Sequence, residues 1–499
     1  MGTANLFRSS TKPLHLRYGI CASAIILCGL ALRYFGLFAA FTLDEIWSLH
    51  LTTQINSPLE IITALQIDNN HILNTFYMYL LGETNSWPLY RLLSFFLGVL
   101  TIPLFGFCLS RDKMRFSWQA ALLCSLSMVM IIYSTEARGY APMLFFVYLS
   151  FLLVQRFFQN ETILRGLCFQ LSSIGGFLAH IVFIHFYLAV LIWSLCKCYR
   201  NTKMQGVWRC LLSLHSITLV LLLLFVSFHF FPSYEIGGVG RVGYLEALLN
   251  VFAAPFGVVL TSIGGATSSI IFCIALPLTL YVLVSQLGKL FRGRDDHFLL
   301  YLLAIIILPL ASLIVVRPEG IYFRYLIVSF AMLLLLFAQQ IEDGLKFKGS
   351  RRVITIMLVA LILLGNLSGY FYFAKYGRGN YLSALNLIAR CTTTEVVSVG
   401  NMHDFRDQMI LKFYGNYMDP KKKIASVKQN KPFQWLILRR PAPFLDPPQK
   451  QIKDTGERYV LVEHFPYSGF LSGVSWFVYR RHNSPSTNTS NCEQSNTTY

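Results

Sequence analysis

Charge is scarce in this chain, and one stretch of it has no lysine or arginine at all. Only 13% of the 499 residues are charged against 55% hydrophobic, and the mean hydropathy is +0.53. That balance excludes a soluble globular protein of this size, and apolar runs of about 18 residues or more recur as in polytopic α-helical membrane proteins. No cysteines stand at CxxC or zinc-ligand spacing. Of the 11 cysteines, nine lie in or beside apolar runs, where they act as small packing residues. Cys391 and Cys492 fall in the polar C-terminal part, where a disulfide between them is an open option. There is no P-loop, no Rossmann fingerprint and no DxD-type signal, which argues against ATP or nucleotide-sugar substrates. The net charge of +18 is not gathered on a soluble domain with groove-reading motifs, which argues against nucleic acid as a partner.

What is present begins with residues 41–83, which hold Asp44, Glu45, Glu60, Asp68 and Glu83 and no Lys or Arg. Asp44 and Glu45 stand where the first apolar run, Tyr18 to Phe41, ends, an expensive place for charge unless chemistry or a cation needs it. That run is too long and too far along the chain for a cleavable signal. Two short amphipathic stretches follow. Ser57-Pro58-Leu59-Glu60 reads as a capped helix start with Leu59, Ile62 and Leu65 on one face, and Ile72 to Leu81 repeats the pattern with Leu73, Phe76, Tyr77 and Leu80. Helices this short with one apolar face lie on a membrane surface.

Arg8, Lys12 and Arg17 place the N-terminus in the cytoplasm, and later basic loops fix the other spans. Arg33, inside the first span, is expected to snorkel toward the interface. Residues 166–196 read as a tight hairpin with Gly175, Gly176, His180 and His185 near its turn, and 245–265 as interfacial or re-entrant. The count comes to about eleven spans, ending near residue 373. Residues 374–482 then form a small exoplasmic α/β domain, with strands at Val396–Val399, Trp435–Leu438, Tyr459–Val462 and Val474–Tyr479 and a helix from Asp404 to Tyr414. Residues 374–499 carry 17 Lys and Arg against nine Asp and Glu, a basic face suited to anionic headgroups or an acidic substrate. The tail, 483–499, has a disordered composition, rich enough in Ser, Thr and Asn to give its two glycosylation triplets by chance.

The polar residues expected on the outer side are Asp44, Glu45, Asn69, Asn70, His71, Glu136, Arg138, His180, His185, Arg317 and Arg324. Carboxylates and cations on one side of a membrane suit one reaction type. A carboxylate takes the proton of an acceptor hydroxyl, and arginines hold and stabilise the phosphate of a lipid-linked donor as it leaves. Each residue also has a plainer reading. Asn69, Asn70 and His71 would cap the second surface helix, and Arg138 and Arg324 would anchor the interface beside Tyr140 and Tyr325.

The motifs Leu43-Asp44-Glu45, Asn69-Asn70-His71-Ile72-Leu73-Asn74-Thr75, Tyr90-Arg91-Leu92-Leu93-Ser94, Glu136-Ala137-Arg138-Gly139-Tyr140 and Arg324-Tyr325-Leu326 occur in an order that resembles the GT-C glycosyltransferases of the protein O-mannosyltransferase and aminoarabinose-transferase lineage. The resemblance covers about residues 15–345. It implies a transmembrane catalytic domain over 1–373, with the first exoplasmic loop and its juxtamembrane helices at 41–86. It also implies an inverting transfer of a sugar from a polyprenyl-phosphate donor to an exoplasmic lipid, glycan or protein. Asp44 would be the base and Glu45 its support, Arg138 and Arg324 would contact the donor phosphate, and Asn70, His71, Glu136, Tyr140 and Tyr325 would line the substrate site. Where many relatives carry a His-Pro-Pro-Leu-Tyr type motif, this chain has Asn-His-Ile-Leu-Asn-Thr, which implies a different sugar or acceptor. No resident cofactor is expected, and a need for a divalent metal ion is left open. The expected location is a bacterial inner membrane, with the bilayer itself as a partner. A transporter or flippase of lipid-linked glycans, or a non-catalytic scaffold, are the alternatives. The absence of an internal repeat and the position of the carboxylates at the end of a span, rather than at its middle, count against transport.

Overall fold

The computed structural model describes residues 12–84, 86–109, 115–227, 244–258, 266–316, 322–400, 405–427, 432–440, 449–452, 456–467 and 474–482. Arg317, the loop with Glu235 and Arg241, Asp404, Cys492 and the tail lie outside these. Helix α1 (Lys12–Gly36) is followed by α2 (Leu43–Thr52), α3 (Glu60–Thr63) and α4 (Ile72–Leu81). Next come α5 (Trp87–Cys108), α6 (Trp118–Leu126), α7 (Met128–Ser134), α8 (Tyr140–Gln159) and α9 (Ile163–Ala179). The membrane part continues with α10 (Ile184–Cys210), α11 (Ser216–Phe225), α12 (Tyr244–Ala253), α13 (Ala266–Arg292), α14 (His297–Leu302), α15 (Leu308–Val316), α16 (Ile327–Lys346) and α17 (Ser350–Tyr376).

Among the described residues, eight helical segments are long and apolar enough to cross a membrane. The difference from about eleven comes from interrupted helices. The segment Ile181–Phe225 is 45 residues long and contains a non-helical break at Thr202 and Lys203, so it has length for two crossings. Helix α9 is 17 residues, just short of a full span, and α6 and α7 are one apolar run broken at Ser127. The predicted hairpin is present, with α9 and α10 joined by a short turn at Ile181–Phe183. Helix α12 lies against α13 and α16, and the turn after it packs on α17, so this stretch is a short buried helix rather than a surface one.

The break at Ser127 explains Arg33. A helix interrupted inside a bundle frees backbone groups that no water can reach, and each must find another partner. Arg33 does not snorkel. It is fully buried, donates to the carbonyls of Cys124 (3.2 Å) and Ser125 (3.0 Å) at the end of α6, and bonds Ser134 Oγ (3.2 Å) at the end of α7. Asn366 of α17 takes the other side, its Oδ1 accepting from Met128 N–H (2.7 Å) and its amide donating to Pro255 O (2.9 Å). One arginine and one asparagine thus replace the backbone bonds lost at the break.

The surface helices follow the expected order with one addition. Helix α2 is opened by a capping box in which Thr42 Oγ1 accepts from Glu45 N–H and Glu45 accepts from Thr42 N–H. The first predicted surface helix is a single turn, α3, with Ile61 and Leu65 buried and Leu59 and Ile62 exposed. Helix α4 has the predicted bounds. Phe76 and Leu80 face outward, and the polar Asn74 and Thr75 are buried against the bundle. An outward apolar and inward polar face is what a lipid surface selects.

The C-terminal part opens with α18 (Tyr381–Arg390) and contains α19 (Phe405–Gly415) and six strands, β1 (Val396–Gly400), β2 (Lys423–Val427), β3 (Trp435–Arg440), β4 (Lys450–Ile452), β5 (Arg458–Phe465) and β6 (Ser475–Arg481). They form one sheet in the order β2-β1-β3-β6-β5-β4, parallel on the β1 side and antiparallel beyond β3. Its core of Val397, Val399, Ile437, Trp476 and Val478 packs with Leu385, Ile388, Ile410 and Tyr414 of the two helices. That cluster continues into Phe41, Ile46 and Tyr90 of the membrane part. Tyr414 Oη donates to Phe41 O (2.7 Å), and Trp87 packs against Tyr414 and Tyr417. Cys391 is disulfide-bonded, which suits a domain outside the reducing cytoplasm.

Asn366→Leu leaves Met128 N–H without a partner in an anhydrous setting and should cost about 2 kcal/mol. Thermal unfolding of the protein in lipid nanodiscs should show a clear fall in Tm. An unchanged Tm would mean that the break is satisfied without Asn366.

Candidate functional site

The site is assembled where α2, the loop between α7 and α8, the start of α16 and the first turn of α19 converge. Its support is Glu45. This carboxylate and Arg91 of α5 are both fully buried and joined at 2.7 Å. Glu45 Oε1 also accepts from Ala137 N–H (2.7 Å), and Oε2 accepts from Arg91 Nη2 and Thr42 N–H, both at 2.8 Å. Arg91 uses its remaining donors on the carbonyls of Leu37 and Ala39 (2.6 Å each) and Ala40 (2.9 Å). Burial pushes the Glu45 carboxyl up, but Arg91 chiefly, with Arg378 and Thr42 N–H, outweighs it and holds it below the ordinary range. Glu45 is thus saturated by the chain and fixes its neighbour.

That neighbour, Asp44, is different. Its Oδ2 accepts from Arg138 Nη1 (2.6 Å) and from Arg324 Nη1 (2.8 Å), while no described residue donates to Oδ1. The side chain is 21% exposed, so one oxygen is held and the other can be reached. Burial pushes this carboxyl up as well, yet Arg138 and Arg324 together prevail and keep it below its ordinary value of 3.8. Asn69 orients the pair. Its Oδ1 accepts from Arg138 Nη2 (2.8 Å), and its amide donates to Asp44 O (3.1 Å) and Ser48 Oγ (3.0 Å).

The remaining predicted residues fall into two groups. His71, Arg138, Tyr140 and Arg324 join the Asp44 cluster. The Arg138 guanidinium lies over the Tyr140 ring at 5.0 Å, and His71 packs on Tyr140 (5.4 Å) and on His180 (4.5 Å). His71 begins α4 but makes no side-chain capping bond, so the capping role is not its own. Burial above all, then His180, Arg138 and Arg324, hold His71 neutral well below 6.5. His180 takes part in the same stack, its Nδ1 accepting from Val182 N–H (3.0 Å). Tyr325 is half-buried beside Arg324, whose guanidinium also faces the Tyr322 ring (4.5 Å). Asn70 and Glu136 lie outside the cluster. Asn70 donates to the carbonyls of Ile61 (2.7 Å) and Leu65 (2.8 Å) and braces the surface loop. Glu136 is buried and pairs with Arg378 (3.5 Å), which also donates to Thr135 O (2.8 Å) and Ile132 O (2.9 Å). Gly139 lets this loop close on the hairpin turn, since a β-carbon there would collide with the carbonyl of Ala179 and crowd His71.

The sequence sets Asn69 among the outer-side polar residues only as a helix cap and Arg91 only within a motif, and it gives no sign of Arg378. Thr42-x-x-Glu45 is a capping-box signature and was the available sign that Glu45 serves the backbone. Among the described residues, no three His, Cys, Asp or Glu side chains converge as ligands of a metal ion.

No protein-family model matches the chain, and no curated protein matches it. Among solved structures, the apo crystal structure of ArnT from Cupriavidus metallidurans is 13% identical, with a TM-score of 0.44, over 85% of this chain and 93% of that one. No residue role is transferred from it.

Glu45→Ala would leave Arg91 charged, buried and without its counter-ion, at a cost of about 3–5 kcal/mol. The double variant Glu45→Ala/Arg91→Met should recover part of that loss in thermal unfolding. Equal stabilities of wild type and Glu45→Ala would show that the pair is not the anchor.

Proposed function

We propose that the chain is an integral-membrane inverting glycosyltransferase that moves a sugar from a polyprenyl-phosphate donor to an exoplasmic hydroxyl acceptor, with Asp44 as general base. The observation that carries this reading is the divided carboxylate of Asp44, with Oδ2 fixed by two arginines and Oδ1 open. The motif order of the membrane part supports the same class. The acceptor hydroxyl would bond to Oδ1, and its proton would pass to Asp44 as its oxygen attacks the anomeric carbon. The bond from that carbon to the phosphate oxygen breaks on the opposite face, which inverts the configuration. The departing phosphate gains charge, and Arg138 and Arg324 are the cations within reach of it. As they turn to the phosphate, Asp44 loses part of its compensation and becomes a stronger base at the moment it is needed. Glu45 and Asn69 act as positioning residues, and His71, as a neutral imidazole, adds no charge.

In this reading the site lies on the exoplasmic side, the N-terminus in the cytoplasm, and the membrane is a bacterial inner membrane. The outward apolar face of α4 and the disulfide at Cys391 support that side. The acceptor class is a lipid, a glycan or a protein.

Sugar release from a panel of polyprenyl-phosphate sugars by protein in nanodiscs tests the proposal. Asp44→Asn, folded and still binding donor, should lose at least about 100-fold in rate. Normal turnover by that variant would show that Asp44 is not the base, whereas no donor consumed by wild type would overturn the transfer reaction and favour transport or a scaffold. The pH profile adds a signed expectation. Wild-type kcat/KM, which follows the free enzyme, should hold until pH falls to the depressed Asp44 value, below 3.8. Arg324→Gln removes one cation, raises the Asp44 carboxyl, and should move that acid-side fall to higher pH.

A further inference from the structure

The arginines around Asp44 differ in what they already hold. Arg91 is bound to Glu45, Arg378 to Glu136 and the carbonyls at the end of α7, and Arg138 and Arg324 share Asp44 Oδ2. Asp68 adds its charge near Arg324. One arginine is left over. Arg406, in the first turn of α19, is half-buried, and among the described residues its guanidinium makes no hydrogen bond or ion pair, resting 5.5 Å from the ring of its neighbour Phe405. The acidic residue that follows it, Asp407, pairs with Arg439 instead (3.3 Å). Taken together, Arg91, Arg138, Arg324, Arg378 and Arg406 stand against Asp44, Glu45, Asp68 and Glu136, five cations to four carboxylates. Among the described residues, the site has one positive charge that these acids do not balance.

The chain places Arg406 there by a specific contact. Helix α19 packs on α2, with Phe405 edge-on to Trp47 at 5.6 Å. Trp47 lies three residues after Asp44, on the same face of α2, and Arg406, beside Phe405, stands near enough for its charge to act on the Asp44 carboxyl. At its other end α19 is fastened by Tyr414 to Phe41 and by stacking of Phe413 on Phe41 (5.6 Å). A half-buried cation held without an anion is costly unless an anion arrives. The donor of the proposed reaction is a phosphodiester with a single negative charge, which balances the surplus.

We infer that Arg406 is a ligand of the donor phosphate supplied by the C-terminal domain, so that a membrane-embedded substrate is gripped in part from the soluble domain above it. The inference rests on the proposed glycosyl transfer. It gives the domain a chemical part in the site, and it makes domain docking and phosphate binding electrostatically linked.

The test is binding of undecaprenyl phosphate, a carrier whose phosphate does not depend on which sugar is transferred, to the full-length protein in nanodiscs. Arg406→Gln should weaken binding about tenfold, as loss of a charge-assisted contact does. Arg406→Lys should recover most of that affinity, which a purely structural role would not predict. Asp44→Asn frees Arg138 and Arg324 from their carboxylate and adds to the positive surplus, so it should bind the carrier at least as tightly as wild type, the opposite of Arg406→Gln. The inference is overturned if Arg406→Gln binds like wild type while Arg324→Gln does not, or if the Gln and Lys variants lose affinity equally. Failure of the wild type to bind the carrier would instead sink the transfer reaction itself, and the two results are distinct.

Discussion

The ion pair between Glu45 and Arg91 is the constraint on which the rest of the site depends. It joins three parts of the chain that are far apart in sequence, namely the turn from α1 into α2, α5 and the loop before α8. Because both partners are fully buried, neither can relax toward water, and their hydrogen bonds admit little angular freedom. Asp44 inherits that rigidity through one peptide bond. The adjacent carboxylates therefore divide the labour that a lone residue could not carry, since an acid that is saturated cannot also accept a proton.

Much of the architecture was legible in the sequence, because a bilayer reduces the choices to apolar runs, charged loops and surface helices. The bounds of α4 and the hairpin around His180 came from that logic. So did the strand positions of β1, β3, β5 and β6, whose β-branched and aromatic runs have no other good use. What was not legible lies where the chain departs from regular periodicity. The break at Ser127 has no proline to announce it, and its cause is long-range, with Arg33 lying 91 residues from Cys124. Snorkelling is the default for such an arginine only when water is its best partner, and here free carbonyls are better placed. Strands β2 and β4 escaped notice because one is an edge with a polar pattern and the other has three residues.

The candidate site was legible as a list and not as an arrangement. Asp44, Arg138 and Arg324 converge as their residue types suggest. Residue types alone do not divide Glu45 from Asp44, which only the family resemblance separates as support and base, or Glu136 from Arg138, since the division depends on which side chain has its donors and acceptors already used. Asn70 and Glu136 are spent on the scaffold, whereas Asn69 sits against the reactive pair. Such distinctions are properties of hydrogen-bond saturation, and only coordinates contain them.

The outward face of α3 and α4 has one more consequence. Leu59, Ile62, Phe76 and Leu80 face outward as a lipid surface would select, Asn70 braces that layer through Ile61 O, and Asn74 ties it to the loop of Arg138 through Ala137 O. The height of the reactive carboxylate is therefore referenced to the headgroup plane rather than to the middle of the bundle. A chain anchored in this way keeps its reactive atoms level with the boundary between oil and water when the bilayer thickens or thins. In the proposed reaction, a lipid-borne phosphate, which rides on the same boundary, would meet the protein at constant depth.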